Sequence, residues 1–100
     1  MLEKPVSSVR QRLTDAIQTR KATVGVVGIG YVGLPLAVEK GKVGFKVLAF
    51  DRNPVRVDKV NCGENYIEDV SNEELAELSA SGTLEATTDF SRLAECDVIV

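Results

Sequence analysis

The sequence predicts an α/β fold, the first half of a doubly wound parallel sheet preceded by an amphipathic helix. Three observations support it. A β-branched run from Thr23 to Val27 leads into a glycine-rich turn and then a helical pattern. A second apolar run, residues 45–50, ends in Asp51, and two shorter strand patterns follow near residue 100. Strands that alternate with helices in the order β-α-β-α-α-β-β indicate a parallel sheet.

The composition is that of an ordinary globular domain, with 44% hydrophobic and 27% charged residues in 100. The longest uncharged stretch, Ala22 to Val38, is interrupted by four glycines and Pro35. It is too short for a membrane span, which needs about 20 apolar residues. Charges run throughout residues 1–21, so no secretory signal is predicted. Two cysteines without a CxxC pattern then favour free thiols and a cytoplasmic protein.

The charge is uneven along the chain, although the net value is only −3. Residues 1–21 and 22–60 each carry +3, and residues 61–100 carry one basic and ten acidic side chains. The total balance is acidic, which argues against general nucleic-acid binding, because such binding needs a basic footprint. Histidine is also absent, and the acidic cluster Glu64, Glu68 and Asp69 lacks metal-ligand spacing. No metal site is therefore predicted.

Two parts are expected. Residues 1–21 form a lead-in helix, capped by Ser7 or Ser8, whose apolar face has helical spacing. Residues 22–100 form the sheet domain. There, Asn53-Pro54 starts a helix that ends at Gly63, and Ser71 to Glu74 fits a capping box. The last pattern, Asp97 to Val100, predicts a buried strand without a following helix to cover it. We therefore expect the chain to be the N-terminal part of a longer protein.

The pattern Gly28-x-Gly30-x-x-Gly33 lies directly after the first strand and opens the next helix. In a Rossmann sheet the first glycine permits the tight turn and the second lets a pyrophosphate approach the backbone. The third lets the helix pack close to the strand. The N–H groups of Tyr31 and Val32 would then point at the phosphates from the helix N-terminus. The Tyr31 side chain either shields the pyrophosphate or covers the sheet edge.

An acidic residue ends the second strand, as dinucleotide binding requires. Asp51 lies 23 residues after Gly28 and can accept hydrogen bonds from ribose hydroxyls. Its charge would repel a 2′-phosphate, so the predicted cofactor is NAD and not NADP. Arg52 is expected to stack on adenine or face solvent. Arg56 either reaches a cofactor phosphate or is a surface residue.

The stretch Val26 to Ala37, which contains Gly-Tyr-Val-Gly-Leu-Pro, resembles the nucleotide-sugar dehydrogenase family. The resemblance continues through Phe50 to Asn53, Val57 to Gly63, Tyr66 to Val70 and Ala86 to Asp89, and so covers about residues 22–100. The loop around Tyr66 looks most like the branch that acts on UDP-N-acetylglucosamine or its manno epimer.

The resemblance implies an enzyme that oxidises the C6 alcohol of a nucleotide sugar to a carboxylate with two NAD. Neither Cys62 nor Cys96 matches the family's catalytic-cysteine motif. No catalytic residue is therefore assigned to this chain, and the substrate would be bound mainly by residues beyond 100. The family also implies a homo-oligomer. Two alternatives stay open: another NAD-dependent dehydrogenase, of the hydroxyacid type, and a non-catalytic dinucleotide-binding module.

Overall fold

A computed structural model describes residues 22–100, so the predicted lead-in helix lies outside the described residues. The elements follow in the predicted order. They are β1 (Thr23–Val27), α1 (Gly33–Val43), β2 (Lys46–Phe50), α2 (Pro54–Asn61), α3 (Asn72–Ala80), β3 (Leu84–Thr87), a 3₁₀ helix (Phe90–Glu95) and β4 (Val98–Ile99). The predicted α/β class is confirmed.

The four strands form one parallel sheet in the order β3-β2-β1-β4. Val26 on β1 is in register with Ala49 on β2, and Val24 with Val98 on β4. The chain therefore moves outward from β1 to β3 and then returns to the other side of β1. Ligands of open parallel sheets bind where the strand order reverses in this way, outside the carboxyl ends of the strands.

One face of the sheet carries the main apolar core. Alternate residues of a strand point to the same face, and those of β1, β2 and β3 on this face pack against the three α-helices. They are Val24, Val26, Val47, Ala49, Leu84 and Ala86, all buried. From α1, Leu34 and Ala37 are fully buried among them. Each large side chain so buried contributes about 1.5–3 kcal/mol.

Side-chain caps begin both later helices where the sequence predicts them. Asn53 Oδ1 accepts hydrogen bonds from two backbone N–H groups of α2, and Pro54 follows at the first helical position. Ser71 Oγ accepts from the N–H of Glu74 at 3.3 Å. The Glu74 carboxylate lies 2.6 Å from Lys42 Nζ on α1. The predicted capping box is thus half formed, because its acidic residue pairs with a neighbouring helix.

Among the described strands, the fourth pairs with β1 alone, so it is the outermost strand on that side of the sheet within residues 22–100. Ile99 and Val100 are 53% and 48% exposed. The cysteines differ from each other. Cys96 packs so closely on β1 that its Sγ would lie 2.8 Å from a Cβ at Gly25, whereas Cys62 is exposed. Both are free thiols.

The outer edge of β3 is closed by a side chain. Asn61 at the end of α2 donates from Nδ2 to the carbonyl of Ala86 and accepts at Oδ1 from the N–H of the same residue, at 2.9 and 2.8 Å. This amide supplies the two hydrogen bonds that a neighbouring strand would make. It satisfies the backbone and blocks strand addition at that position.

The substitution Gly33→Ala is expected to abolish stable folding. A Cβ at Gly33 would lie 1.5 Å from the carbonyl oxygen of Gly28, so α1 would have to move away from the end of β1. We expect a loss of more than about 4 kcal/mol, at the extreme of single-substitution effects. Thermal unfolding of the full-length protein measures it. Glu39→Ala, on the exposed side of α1, is the control and should change stability by less than about 0.5 kcal/mol. Equal melting temperatures for the two variants would contradict the close packing of α1 against the end of β1 at Gly33.

Asn61→Ala should destabilise the protein by about 1–3 kcal/mol, because it leaves the N–H and carbonyl of Ala86 without these partners. The measurement is the denaturant midpoint, with Asp58→Ala on the exposed side of the same helix as the control. A midpoint for Asn61→Ala no lower than that of the control would show that the amide bonds add nothing.

Candidate dinucleotide site

The glycine loop between β1 and α1 is bent by Gly28, which has a φ of +85°. An L-residue with a side chain rarely adopts this conformation, so the turn depends on glycine here. The N–H of Gly28 donates to the carbonyl of Phe50 at 2.7 Å, which ties the loop to the end of β2. At the other end, the close approach of Gly33 to the Gly28 carbonyl draws the start of α1 against β1.

The N–H groups of residues 30–33 make no hydrogen bond within the described part of the chain. They stand at the N-terminus of an 11-residue helix, where the helix dipole is positive. The side chains of Tyr31 and Val32 are 82% and 81% exposed and leave this terminus open. An anionic group would find both free donors and a favourable potential there.

Asp51 follows β2 and braces the glycine loop. Its Oδ2 accepts the N–H of Ile29 at 3.0 Å, and its Oδ1 accepts the N–H of Asn53 at 2.8 Å. The side chain is only 12% exposed. A carboxylate has about four lone-pair sites, so each oxygen retains capacity for another donor. The residue can therefore hold the loop and accept a ligand hydroxyl at the same time.

The pKa of Asp51 is lowered. Burial acts to raise the pKa of this carboxyl, but the two backbone N–H donors and the charge of Arg56 together outweigh burial. The carboxyl is thus ionised at neutral pH. Because its folded-state pKa is depressed, its contribution to stability is present above the unfolded pKa of about 3.9 and is lost as pH falls further.

Two arginines flank this carboxylate. Arg56 on α2 places Nη1 3.7 Å from Asp51 Oδ2, and the same atom would lie 3.7 Å from a Cβ at Gly30. It therefore stands beside the open helix N-terminus. Arg52 is exposed and lines a hollow at the ends of β1 and β2. The other residues of that hollow are Val27, Gly28, Phe50, Asp51 and Phe90.

Tyr66 is a member of the site that the sequence reasoning did not select. Its hydroxyl donates to the carbonyl of Ile29 in the glycine loop. Burial raises the pKa of this phenol to about 12, with Arg56 opposing and Asp51 adding to the rise. The one signal available from the sequence was that Tyr66 lies in the loop that carries part of the family resemblance.

The glycine loop, the N-terminus of α1 and Asp51 together fit a dinucleotide. Among residues 22–100, leaving out the two chain neighbours of Gly30, a Cβ at Gly30 would have only Arg56 Nη1 within 4 Å, so the backbone is open to a pyrophosphate at that residue. The N–H groups of residues 30–33, which have no hydrogen-bond partner in the described part of the chain, lie at this opening. The ionised Asp51 holds the neighbouring Ile29 N–H and has spare acceptor capacity. Among residues 22–100, no group of three His, Cys, Asp or Glu side chains could hold a metal ion. No helix in that range has the length and apolar character to cross a bilayer.

The chain is similar to known nucleotide-sugar dehydrogenases. Residues 22–100 match the UDP-glucose/GDP-mannose dehydrogenase family, NAD binding domain. The chain is 40% identical over 77 residues to a UDP-N-acetyl-D-glucosamine 6-dehydrogenase of Pseudomonas aeruginosa, a match that covers 77% of this chain and 17% of that protein. The chain thus spans about a fifth or less of such relatives.

Solved structures show the same likeness. A native UDP-N-acetyl-mannosamine dehydrogenase from Staphylococcus aureus superposes with a TM-score of 0.62 at 35% identity, over 67% of this chain and 16% of that one. A ternary complex of GDP-mannose dehydrogenase from Pseudomonas aeruginosa gives a TM-score of 0.71 at 28% identity, over 76% and 18%.

The family match and the solved structures confirm the predicted resemblance, and the NAD-binding family confirms the predicted cofactor. The chain belongs to the UDP-glucose/GDP-mannose dehydrogenase family, and residues 22–100 match the NAD-binding domain of that family.

Proposed function

We propose that the full-length protein is an NAD-dependent nucleotide-sugar 6-dehydrogenase that oxidises a UDP-N-acetylhexosamine. The observation that carries the proposal is the open glycine loop braced by an ionised Asp51, in a chain that matches this family over residues 22–100. The sugar is inferred from the UDP-N-acetyl-D-glucosamine 6-dehydrogenase relative. In the reaction, the C6 alcohol, two NAD and one water yield the carboxylate, two NADH and three protons.

Each residue of the site has a proposed part in holding NAD. The N–H groups of Gly30, Tyr31, Val32 and Gly33 receive the pyrophosphate, since they lack hydrogen-bond partners in the described range and occupy the positive end of α1. Gly28 permits the tight turn after β1 through its positive φ. NAD, when bound, accepts a hydride from the substrate.

The remaining residues select and orient the adenosine half. Asp51 accepts ribose hydroxyls and repels a 2′-phosphate, which favours NAD over NADP. Arg56 contacts a phosphate from its place beside Gly30, and Arg52 stacks against the adenine from the rim of the hollow. The residues that carry out the oxidation lie beyond residue 100 in this proposal.

The proposal extends to partners and location. The nucleotide sugar is bound mainly by residues beyond 100, and the full-length protein is a cytoplasmic homo-oligomer that needs neither nucleic acid nor membrane. The presence of two cysteines without a CxxC pattern in the sequence supports a reducing compartment. The family resemblance supports the oligomer, which light scattering of the full-length protein tests directly.

The reaction is tested by titrating the full-length protein, at saturating NAD, with UDP-N-acetylglucosamine, UDP-N-acetylmannosamine, UDP-glucose and GDP-mannose. NADH absorbance is followed to completion. We expect two NADH per sugar with one of the UDP-N-acetylhexosamines. One NADH per sugar, or none with any of the four while NAD still binds, would reject the proposal in favour of another dehydrogenase or a binding module.

Gly30→Ala should weaken NAD binding at least about tenfold and leave the fold intact. The added methyl group has room in the free protein, where its nearest neighbour is Arg56 Nη1 at 3.7 Å. It occupies the space through which the pyrophosphate reaches the backbone. A loss of about 1.4 kcal/mol of binding free energy already lowers the affinity for NAD tenfold. Calorimetric titration with NAD measures the effect, with Glu39→Ala as the control. Unchanged affinity would place the pyrophosphate elsewhere.

Asp51→Asn should lower the preference for NAD over NADP by about tenfold or more. The substitution removes a charge whose repulsion of a phosphate is on the order of 1–4 kcal/mol at about 4 Å. The ratio of kcat/KM for the two cofactors is the readout. Asp58→Asn, an exposed carboxylate on α2, is the matched control. An unchanged ratio in Asp51→Asn would assign cofactor selection to another residue.

A further inference from the structure

Two side chains from distant parts of the sequence hold the peptide groups on either side of Ile29. Asp51 Oδ2 accepts the Ile29 N–H at 3.0 Å, and the Tyr66 hydroxyl donates to the Ile29 carbonyl. Tyr66 is 37 residues away from Ile29 along the chain. These two hydrogen bonds thus hold the glycine loop at its centre, between the turn at Gly28 and the start of α1 at Gly33.

The hydrogen bond from Tyr66 to the Ile29 carbonyl also fixes the direction of the Gly30 N–H. The described chain has no cis peptide bond, so the Ile29–Gly30 peptide is planar and trans. In such a unit the carbonyl and the following N–H point in opposite directions. Because the Ile29 carbonyl is turned toward Tyr66, the Gly30 N–H is turned away from it. That N–H makes no hydrogen bond within residues 22–100.

We propose that Tyr66 is a positioning residue for NAD: its hydroxyl holds the Ile29–Gly30 peptide in the orientation that presents the Gly30 N–H to the pyrophosphate. This inference rests on the proposed function of the loop. Without the hydroxyl, the peptide is free to rotate, and each binding event must order it again. Preorganisation of this kind improves affinity by reducing the entropy lost on binding.

The loop that carries Tyr66 is itself firmly held. The neighbouring side chain, Asn65, donates from Nδ2 to the carbonyl of Val70 at 2.6 Å and accepts the N–H of Ile67 at 2.9 Å. Ile67 and Val70 are buried in the main core. The Tyr66 phenol therefore contacts the glycine loop from a segment whose own position is fixed.

The phenol also remains a donor over the working pH range. Burial raises the pKa of Tyr66 to about 12. The hydroxyl is consequently protonated from pH 7 to pH 9, and its effect on NAD binding should be constant across that interval.

Tyr66→Phe in the full-length protein tests the proposal, because it removes the hydroxyl and keeps the ring. Loss of one hydrogen bond predicts about a three- to tenfold rise in the NAD dissociation constant, equal at pH 7 and pH 9. In turnover with saturating nucleotide sugar, the KM for NAD should rise by the same factor, with kcat unchanged.

The matched control is Ile67→Val, which loosens the packing of the same loop but keeps the hydroxyl. It should lower the thermal midpoint and leave NAD affinity within about twofold of the original protein, since a buried Ile→Val change removes one methyl group from the packing and leaves the hydroxyl in place. If Ile67→Val weakens NAD binding as much as Tyr66→Phe does, loop packing and not the hydroxyl is responsible, and the proposal fails.

Unaltered NAD affinity in Tyr66→Phe also overturns the positioning role. That outcome is distinct from failure of the proposed function, in which the original protein itself does not bind NAD in the same titration.

Discussion

The hydrogen bond from the Ile29 N–H to the Asp51 carboxylate is the interaction on which the site depends. It joins the turn after β1 to the end of β2, beside the backbone bond from Gly28 to Phe50. The carboxylate stays ionised because backbone donors and Arg56 outweigh the effect of burial on its pKa. In the proposed function the same charge both shapes the loop and selects the ribose of NAD, so a substitution of Asp51 acts on loop and cofactor together.

The sheet topology explains why these groups meet. In a parallel sheet all carboxyl ends lie on one edge, and the order β3-β2-β1-β4 places the glycine loop where the chain reverses direction across the sheet. Helix α1 then starts at that edge with its dipole aimed outward, and α2 brings Arg56 beside it. The register of β1 with β2 and the close packing at Gly33 bring these groups together. Few side chains are needed to bind an anionic group there, because backbone N–H groups supply most of the hydrogen-bond donors.

The local features of this arrangement could be predicted from the sequence. Glycine spacing, the apolar runs and the Asn53-Pro54 helix start all act within a few residues, so their chemistry is visible in the chain itself. Contacts between remote segments were not predictable. Tyr66 reaches Ile29, Asn61 reaches Ala86, and Glu74 pairs with Lys42 in place of completing a capping box. These contacts depend on how α2, α3 and the intervening loop pack, which no spacing rule encodes.

Two side chains, Asp51 and Tyr66, hold the glycine loop in the free protein, and we propose that this preorganises the loop for NAD. Crystal structures of the full-length protein with and without NAD test the proposal. We expect the bonds from Ile29 to Asp51 and Tyr66 in both structures, with the pyrophosphate bound at the N–H groups of residues 30–33. A glycine loop that rearranges on binding, with either bond formed only in the complex, would contradict it.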